Sequence, residues 1–177
     1  MALTNPYCSL SELKAALRIT DSVDDDLLEL SISAASRQID GYCERVFYAS
    51  SATRIFTPQS SLLCEIDDLI SLTTLKTSSN GDGVFDTTWS STDYQLEPLN
   101  SMSSGLDSPY TRIRAVGDYL FPEFPNYSYN HEASVQVVGS FGYAATTPDS
   151  VKQAYIILAM RQFKRYDSPL GVAGFGD

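Results

Sequence analysis

The sequence is poor in the residues that build disulfide, zinc and nucleophilic sites. It has one histidine, His131, and three cysteines, Cys8, Cys43 and Cys64, which lie far apart without a C-x-x-C pair. An odd and scattered set of cysteines argues against a disulfide framework, and it lacks the ligand spacing of a zinc site. We therefore expect three small buried hydrophobic side chains in a reducing compartment.

Basic residues and long apolar runs are also scarce. Twelve Lys and Arg stand against 22 Asp and Glu, for a formal net charge of -10. Tight wrapping of nucleic acid needs cations to neutralise phosphates, so this balance argues against it, although it allows the protein to stand near DNA. The longest apolar run, residues 154–160, is far short of a membrane span, and no signal peptide is visible. We expect no membrane partner.

No known catalytic or metal-binding motif is present. A Ser-His-Asp or Cys-His device would have to use His131, which lies among aromatic residues without a G-x-S-x-G motif. The acidic run from Asp21 to Asp26 fails as a calcium loop, because Val23 occupies the third position and Asp26 the sixth. We predict a protein that is not an enzyme and has no cofactor or metal. A small metal-binding or hydrolase domain that uses acidic residues is the less favoured alternative.

The longest helical pattern, Ser22–Phe47, organises the chain. Its apolar positions recur at steps of three and four, as on one face of a helix: Leu28, Ile32, Ala35, Ile39, Tyr42 or Cys43, and Val46. Ser22 is the predicted cap, and the acidic residues of the first turn suit the positive pole of the helix dipole. Gly41 costs about 1 kcal/mol in a helix interior, and predicts a bend or the close approach of another backbone.

Two further helices complete a predicted frame. Ser9 and Glu12 have the spacing of a capping box, so Ser9–Arg18 reads as a short helix. Thr147-Pro148 begins a helix through Val151–Tyr166. Residues 154–160 of that helix are apolar on nearly every side, which predicts cover on more than one face, one of them from another subunit.

The middle of the chain alternates like β-strands. Strands are predicted at 54–56, 62–66, 70–77, 89–96, 110–116 and 133–138, with a turn at Asn80-Gly81-Asp82-Gly83. The predicted fold class is α+β: a helical frame with an inserted small antiparallel β region and a flexible C-terminal tail. The predicted division is a helical core (1–49 and 131–166), a β-rich insertion (50–130) and a tail (167–177).

Motifs at both ends of the chain resemble the head–tail connector, or adaptor, proteins of long-tailed bacteriophages. The motifs are YCSLSELKxxLxI at Tyr7–Ile19, DDxL at Asp25–Leu28, AASxxIDxYCxRxF at Ala34–Phe47, VGSFGY at Val138–Tyr143, Pro148-x-x-Val151, and RQFKRYxSPLGV at Arg161–Val172. Their order and spacing carry the resemblance, whereas the middle of the chain, residues 50–130, matches nothing in the family.

The resemblance implies a structural virion protein without enzymatic activity. Members form a ring, commonly of twelve subunits, that binds the portal protein, extends the DNA channel and offers a platform for a neck, stopper or tail protein. DNA then passes without sequence-specific binding. The implied location is the virion neck, at the portal vertex of the capsid, and the host cytoplasm during assembly. The alternative within this class is another neck or tail-completion protein, acting as a stopper or terminator.

Three groups of residues are the candidate interaction sites. A ring needs two different complementary patches, and the predicted subunit interface pairs acidic with basic helix ends: Asp24, Asp25 and Asp26 with Arg161, Lys164 and Arg165. The predicted portal-docking residues lie in the tail: Ser168, Pro169, Leu170, Val172 and Phe175. Aromatic residues of the insertion are candidate contacts to tail proteins or, alternatively, a local aromatic core: Trp89, Phe121, Phe124, Tyr127 and Tyr129.

Overall fold

The computed structural model describes residues 4–80, 82–101, 108–122 and 132–166. These ranges contain three helices and an antiparallel sheet of six strands, so the predicted α+β class is confirmed. The chain forms two compact units. Residues up to Tyr48 and from Thr147 onward form a helical unit, and Ala49–Thr146 form a sheet unit.

The first helix of the helical unit, α1 (Leu10–Leu17), begins as its sequence predicts. Ser9 Oγ accepts a hydrogen bond from the Glu12 backbone N–H (3.2 Å), and the Ser9 N–H donates to the Glu12 carboxylate (2.8 Å). This capping box satisfies two backbone donors that the first turn leaves open. The helix ends at Arg18, whose left-handed backbone (φ 60°) stops further helical bonding.

The second helix, α2, is shorter at both ends than the predicted Ser22–Phe47. It runs from Asp25 to Cys43, with Asp24 in place of Ser22 as the cap residue. The start is late because the Asp21 carboxylate accepts a hydrogen bond from the Val23 N–H (3.1 Å), which fixes a turn there. The end is early because Glu44 adopts a left-handed conformation (φ 53°).

The third helix, α3 (Asp149–Tyr166), lies beside α2 and runs parallel to it. Tyr155 Oη donates to the Ile32 carbonyl (2.9 Å), and Gln162 Nε2 donates to Gln38 Oε1 (2.8 Å), so positions rise together along both helices. Large and small buried side chains fill the space between the three helices: Leu13, Leu28, Ile32, Ala35, Tyr155 and Ala159. The predicted apolar face of α2 is therefore right over its first half.

Tyr7 ties the segment before α1 to the end of α2. Its hydroxyl donates to the Asp40 carboxylate and accepts a hydrogen bond from the Phe47 N–H (2.9 Å). Burial, and then the hydrogen bond to Asp40, raise the pKa of Tyr7. Its ring meets those of Phe47 and Tyr155 edge-on, with centroids 5.9 and 6.0 Å away. These contacts fix the segment before α1 against the C-terminal end of α2.

The sheet unit is built from strands of very different lengths. They are β1 (Ser50–Phe56), β2 (Leu63–Thr77), β3 (Thr87–Trp89), β4 (Tyr94–Glu97), β5 (Tyr110–Ala115) and β6 (Val135–Phe141). Their order is β1-β6-β2-β5-β4, and β3 pairs with β2 beyond the reach of β5. The two strands predicted at 62–66 and 70–77 form one continuous strand, β2. Its pairing register shifts against β5 and β6, so the strand continues through the segment between the two predicted strands.

One such shift brings the β2 backbone very close to Gly139 of β6. The register against β6 shifts between Leu69 and Ser71 and again between Leu72 and Thr74. A Cβ atom placed on Gly139 would lie 2.3 Å from the Ser71 carbonyl oxygen. Only glycine fits here, because real Cβ atoms do not approach backbone oxygen that closely.

The boundaries of the two units differ from the predicted division, which grouped residues 131–166 with the helices. Strand β6 pairs with β1 on one side and β2 on the other, so it lies within the sheet. The helical unit therefore resumes at Thr147, immediately before α3. The predicted tail, residues 167–177, and His131 lie outside the described residues.

Candidate functional site

Part of the negative charge at the start of α2 is neutralised by an ion pair inside the helical unit. Asp25 forms an ion pair with Lys14 of α1 (2.6 Å), and its charge is therefore compensated within the chain. Asp24 is half-buried and makes no capping hydrogen bond with its side chain, whereas Asp26 is exposed. Of the three predicted acidic interface residues, Asp26 is thus the exposed one, close in sequence to the exposed Asp21.

An exposed apolar stripe runs along the same half of α2, and sequence analysis missed it. Val23, Leu27, Leu30 and Ala34 follow one another at steps of four, three and four residues. Val23 is 86% exposed and Leu30 is 55% exposed, although Leu27 is half-buried. This spacing places Leu27, Leu30 and Ala34 on one side of the helix, away from the buried Leu28, Ile32 and Ala35, and Val23 lies in the turn just before it. The signal was readable in the sequence, but the stronger buried pattern concealed it.

The basic end of α3 is solvent-exposed. Arg161, Lys164 and Arg165 stand three and four residues apart, so they share one side of the helix. Within the part of the chain that the structure describes, no ion pair involves any of the three. Three like charges in the last turns of α3 are favoured by the negative pole of its dipole and are open to an acidic partner.

A groove between α2 and α3 adjoins this basic surface. It encloses about 290 Å³ and is lined by Gln38, Ile39, Tyr42, Ala154, Ile157, Leu158 and Arg161. Tyr42 is 90% exposed and Ile157 is 46% exposed, so the apolar wall of the groove is open to solvent. Tyr42 or Cys43 was predicted on the buried face of α2, and that prediction is wrong because, among the described residues, none packs over the end of that face and both side chains are exposed. The apolar positions of α3 are correspondingly only partly covered.

The sheet unit carries a shallow trough with small side chains. Ser51, Thr53, Ser71, Thr73 and Ser140 line a space of about 460 Å³ across β1, β6 and β2. The outward face of a sheet commonly bears long charged side chains, whereas this one bears short hydroxyl groups. The trough could receive a flat partner surface, although it presents no charge or deep pocket that would select a ligand.

The aromatic candidates of the insertion separate into two groups. Trp89 and Phe121 are buried and stacked, with ring centroids 4.8 Å apart, and Trp89 Nε1 donates to Thr77 Oγ1 (3.0 Å). These two residues form part of the core of the sheet unit and are not surface contacts. Phe124, Tyr127 and Tyr129 lie outside the described residues, as do all five predicted portal-docking residues.

Two of the three cysteines, Cys8 and Cys64, are buried. Burial raises the pKa of the Cys8 thiol to about 11 and that of Cys64 to about 12, so both are protonated and unreactive at neutral pH. The prediction of three buried cysteines is wrong for Cys43, which is exposed in the last turn of α2. Among the described residues, no group of three or more His, Cys, Asp or Glu side chains could hold a metal ion.

Among the helices in the described ranges, none is both long and apolar enough to cross a membrane. The described residues present an apolar stripe and groove with charges of opposite sign, and a trough of small hydroxyl residues. Such surfaces are suited to binding other protein surfaces.

Comparisons with known proteins agree with the resemblance found in the sequence. Residues 7–80 match the family described as phage gp6-like head-tail connector proteins. The expectation that residues 50–130 match nothing in the family is therefore wrong for residues 50–80. A solved structure described as the neck of an empty GTA particle, computed with C6 symmetry, contains a chain with the same fold. The TM-score is 0.60 at 19% identity, covering 99% of this chain and 88% of that chain. No curated protein matches the sequence. The predicted resemblance to phage head–tail connector proteins is confirmed.

Proposed function

We propose that this chain is a structural protein of a bacteriophage neck that assembles into a ring between portal and tail. The observation that carries the proposal is the match of residues 7–80 to head–tail connector proteins, in a chain whose whole fold resembles a neck chain. The ring extends the DNA channel and provides a docking platform for neck or tail proteins. Its location is the virion neck, and the host cytoplasm before assembly.

The surfaces of the helical unit support assembly of identical copies. A ring is built from heterologous contacts, in which one patch meets a different patch on the neighbour. The start of α2 is acidic and the end of α3 is basic, so copies related by rotation can bring opposite charges together. We propose that Asp24, Asp25 and Asp26 face Arg161, Lys164 and Arg165 of the next subunit, with Asp25 contributing least because it already binds Lys14.

Charge also fits a channel through which DNA moves. The chain has 22 acidic and 12 basic residues, and a ring of such subunits repels the phosphate backbone on average. Repulsion keeps DNA from sticking, so passage requires no sequence-specific contact. We propose twelve subunits. A neck computed with C6 symmetry is compatible with six or twelve copies of a similar chain.

The C-terminal tail is the proposed portal-docking element. The proposed docking residues are Ser168, Pro169, Leu170, Val172 and Phe175, of which Leu170, Val172 and Phe175 supply large apolar side chains on a glycine-containing segment. Such a segment can order itself on a partner groove without disturbing the folded units. The sheet unit is proposed to face outward, where its trough of Ser51, Thr53, Ser71, Thr73 and Ser140 is available to a neck or tail protein.

Binding to the cognate portal protein tests this function. The full chain and a chain ending at Asp167 are mixed with purified portal and separated by sedimentation. We expect the full chain to travel with the portal and the shortened chain to remain free, with unchanged circular dichroism and Trp89 fluorescence. Equal binding of both chains would refute the tail as the docking element. If neither binds, the portal assignment itself is wrong.

Binding of a different partner would favour the alternative role of stopper or terminator. In that case the chain would ignore the portal but bind a tail component, with a different stoichiometry. Titration with calcium or zinc addresses the metal-binding alternative, because a metal that binds the folded state raises the unfolding temperature, and the rise grows with the logarithm of metal concentration over Kd. We expect no shift with either ion.

A further inference from the structure

We propose that the apolar stripe on α2 of one copy docks into the groove between α2 and α3 of the next copy. The stripe is Val23, Leu27, Leu30 and Ala34, and the groove is lined by Ile39, Tyr42, Ile157, Leu158 and Arg161 among others. This inference rests on the proposed ring and names the two surfaces that build it. It adds apolar contacts, which supply affinity, to the charge pairing described above.

The stripe resembles the apolar face of a helix that packs against another helix. Its spacing matches the seam of packed helices, and Val23 and Leu30 expose most of their surface in the single copy. The turn that carries Val23 is fixed, because the Val23 backbone N–H donates a hydrogen bond to the Asp21 carboxylate (3.1 Å). Val23 is the knob of this contact. Its branched side chain is exposed on a fixed turn, so it loses little conformational freedom when it docks.

The groove offers a matching cavity. Its volume of about 290 Å³ is sufficient for a few aliphatic side chains and too small for a folded domain. Tyr42, which is 90% exposed, stands at its edge as a rigid aromatic wall. Aromatic residues of this kind contribute strongly to interfaces when a partner covers them.

Charge selects which surface fills the groove. Val23 is flanked by Asp21, Asp24 and Asp26, whereas the groove ends at Arg161, with Lys164 and Arg165 in the following turn. Placing Val23 in the groove therefore brings the carboxylates beside it in one copy to the exposed cations of the other. In the described part of the chain these cations have no ion pair of their own. The complementarity favours a second copy of this chain over an unrelated apolar segment.

The two surfaces belong to different parts of the helical unit, so the contact is heterologous. The stripe ends at Ala34, whereas the groove is lined by α2 from Gln38 onward and by α3 between Ala154 and Arg161. Each copy thus offers one knob and one groove. Repetition of a heterologous contact produces a closed ring when the rotation between copies divides a full turn, and an open filament otherwise.

The test compares two Val→Lys variants of the full chain. V23K places a charged group on the knob, and because Val23 is 86% exposed the fold should tolerate it. V84K makes the same change in the sheet unit, where Val84 is 61% exposed. Sedimentation measures self-assembly of each variant, alone and on the portal. We expect V23K to weaken the contact between copies at least about tenfold, and V84K to behave as the unmodified chain.

A charge exchange tests the orientation of the contact. D24R and R161D should each weaken assembly, because each leaves two like charges facing one another across the contact. The double variant restores the opposite pair and should recover most of the assembly. Circular dichroism checks that α2 and α3 remain formed in all three variants. Failure of the double variant to recover assembly, with its helices intact, would contradict the proposed orientation.

The outcomes separate this inference from the proposed function. If the unmodified chain forms no ring, either alone or on the portal, the proposed function fails. If the ring forms and V23K assembles as well as V84K, the ring stands and the knob-and-groove contact is overturned. The tail of the same chain is the competing occupant of the groove. If the groove is filled by the tail of a neighbouring copy, ending the chain at Asp167 will abolish self-assembly measured without the portal, while V23K has no effect.

Discussion

Alanine at position 139 is expected to destabilise the sheet unit sharply, although Gly→Ala is normally a mild change. The added methyl carbon would lie 2.3 Å from the Ser71 carbonyl oxygen, 3.0 Å from Leu69 Cδ1 and 3.4 Å from Leu72 Cα. The closest of these atoms belongs to the backbone of a central strand, so the clash cannot be relieved by rotating a side chain. The strands must separate or twist instead.

The magnitude follows from two opposing effects. Overpacking of a well-packed interior costs about 1–3 kcal/mol, and a backbone clash belongs at the upper end of that range. Alanine also restricts the unfolded chain, which returns about 0.4–1 kcal/mol. We therefore expect the free energy of unfolding to fall by about 2 kcal/mol, which for a urea m-value near 2 kcal/mol/M lowers the midpoint by about 1 M.

Fluorescence of Trp89 reports this change directly. Trp89 is the only tryptophan in the chain and is buried in the sheet unit, where it stacks on Phe121. The matched control is G41A, because a Cβ on Gly41 would meet nothing within 4 Å. G41A is expected to have the opposite effect and to stabilise the helical unit by about 1 kcal/mol. Circular dichroism measures the unfolding of this variant. A G139A variant with an unchanged Trp89 unfolding curve would refute the close approach of β2 to β6.

Three further predictions concern the helical unit. S9A removes the capping bond to the Glu12 N–H and should cost about 1 kcal/mol, measured by urea unfolding with circular dichroism. Y155F removes the buried hydrogen bond to the Ile32 carbonyl and should cost about 1 kcal/mol in the same assay, and an unchanged midpoint would contradict that bond. The Lys152 ammonium, followed by the Ser9 N–H, lowers the pKa of Glu12 from 4.5 to about 2. Because the folded-state pKa is depressed, this contribution is present above about pH 4.5 and is lost as the pH falls toward about 2. E12Q should therefore flatten the acid-side loss of stability, and an identical pH profile for E12Q and the unmodified chain would exclude Glu12 as its source.

Local signals in the sequence predicted the fold class and most elements. The capping box at Ser9 and the proline start before α3 depend on neighbouring residues alone, and both helices begin within two residues of the expected positions. Helix α2 was predicted too long at both ends, because the helical spacing of apolar residues continues beyond the observed helix. Competing local bonds decide the ends: Asp21 holds Val23 in a turn, and Glu44 takes a left-handed conformation.

Long-range pairing was beyond what the sequence could predict. The residues predicted as two strands became the single strand β2, since its register shifts are satisfied only by β5 and β6, which are distant in sequence. The need for glycine at position 139 arises from the same shifts. For the candidate interface, charge was readable in the sequence, but the exposure of Val23, Tyr42 and Ile157 required the packing of α1, α2 and α3.

The most direct test of the central claim is the mass of the assembly that the chain forms with its cognate portal protein, measured by light scattering or native mass spectrometry. The account predicts one portal carrying a closed ring, with a mass equivalent to twelve copies of a 19.4 kDa chain added to the portal. A chain that stays monomeric at every concentration, and adds no mass to the portal, would contradict the account.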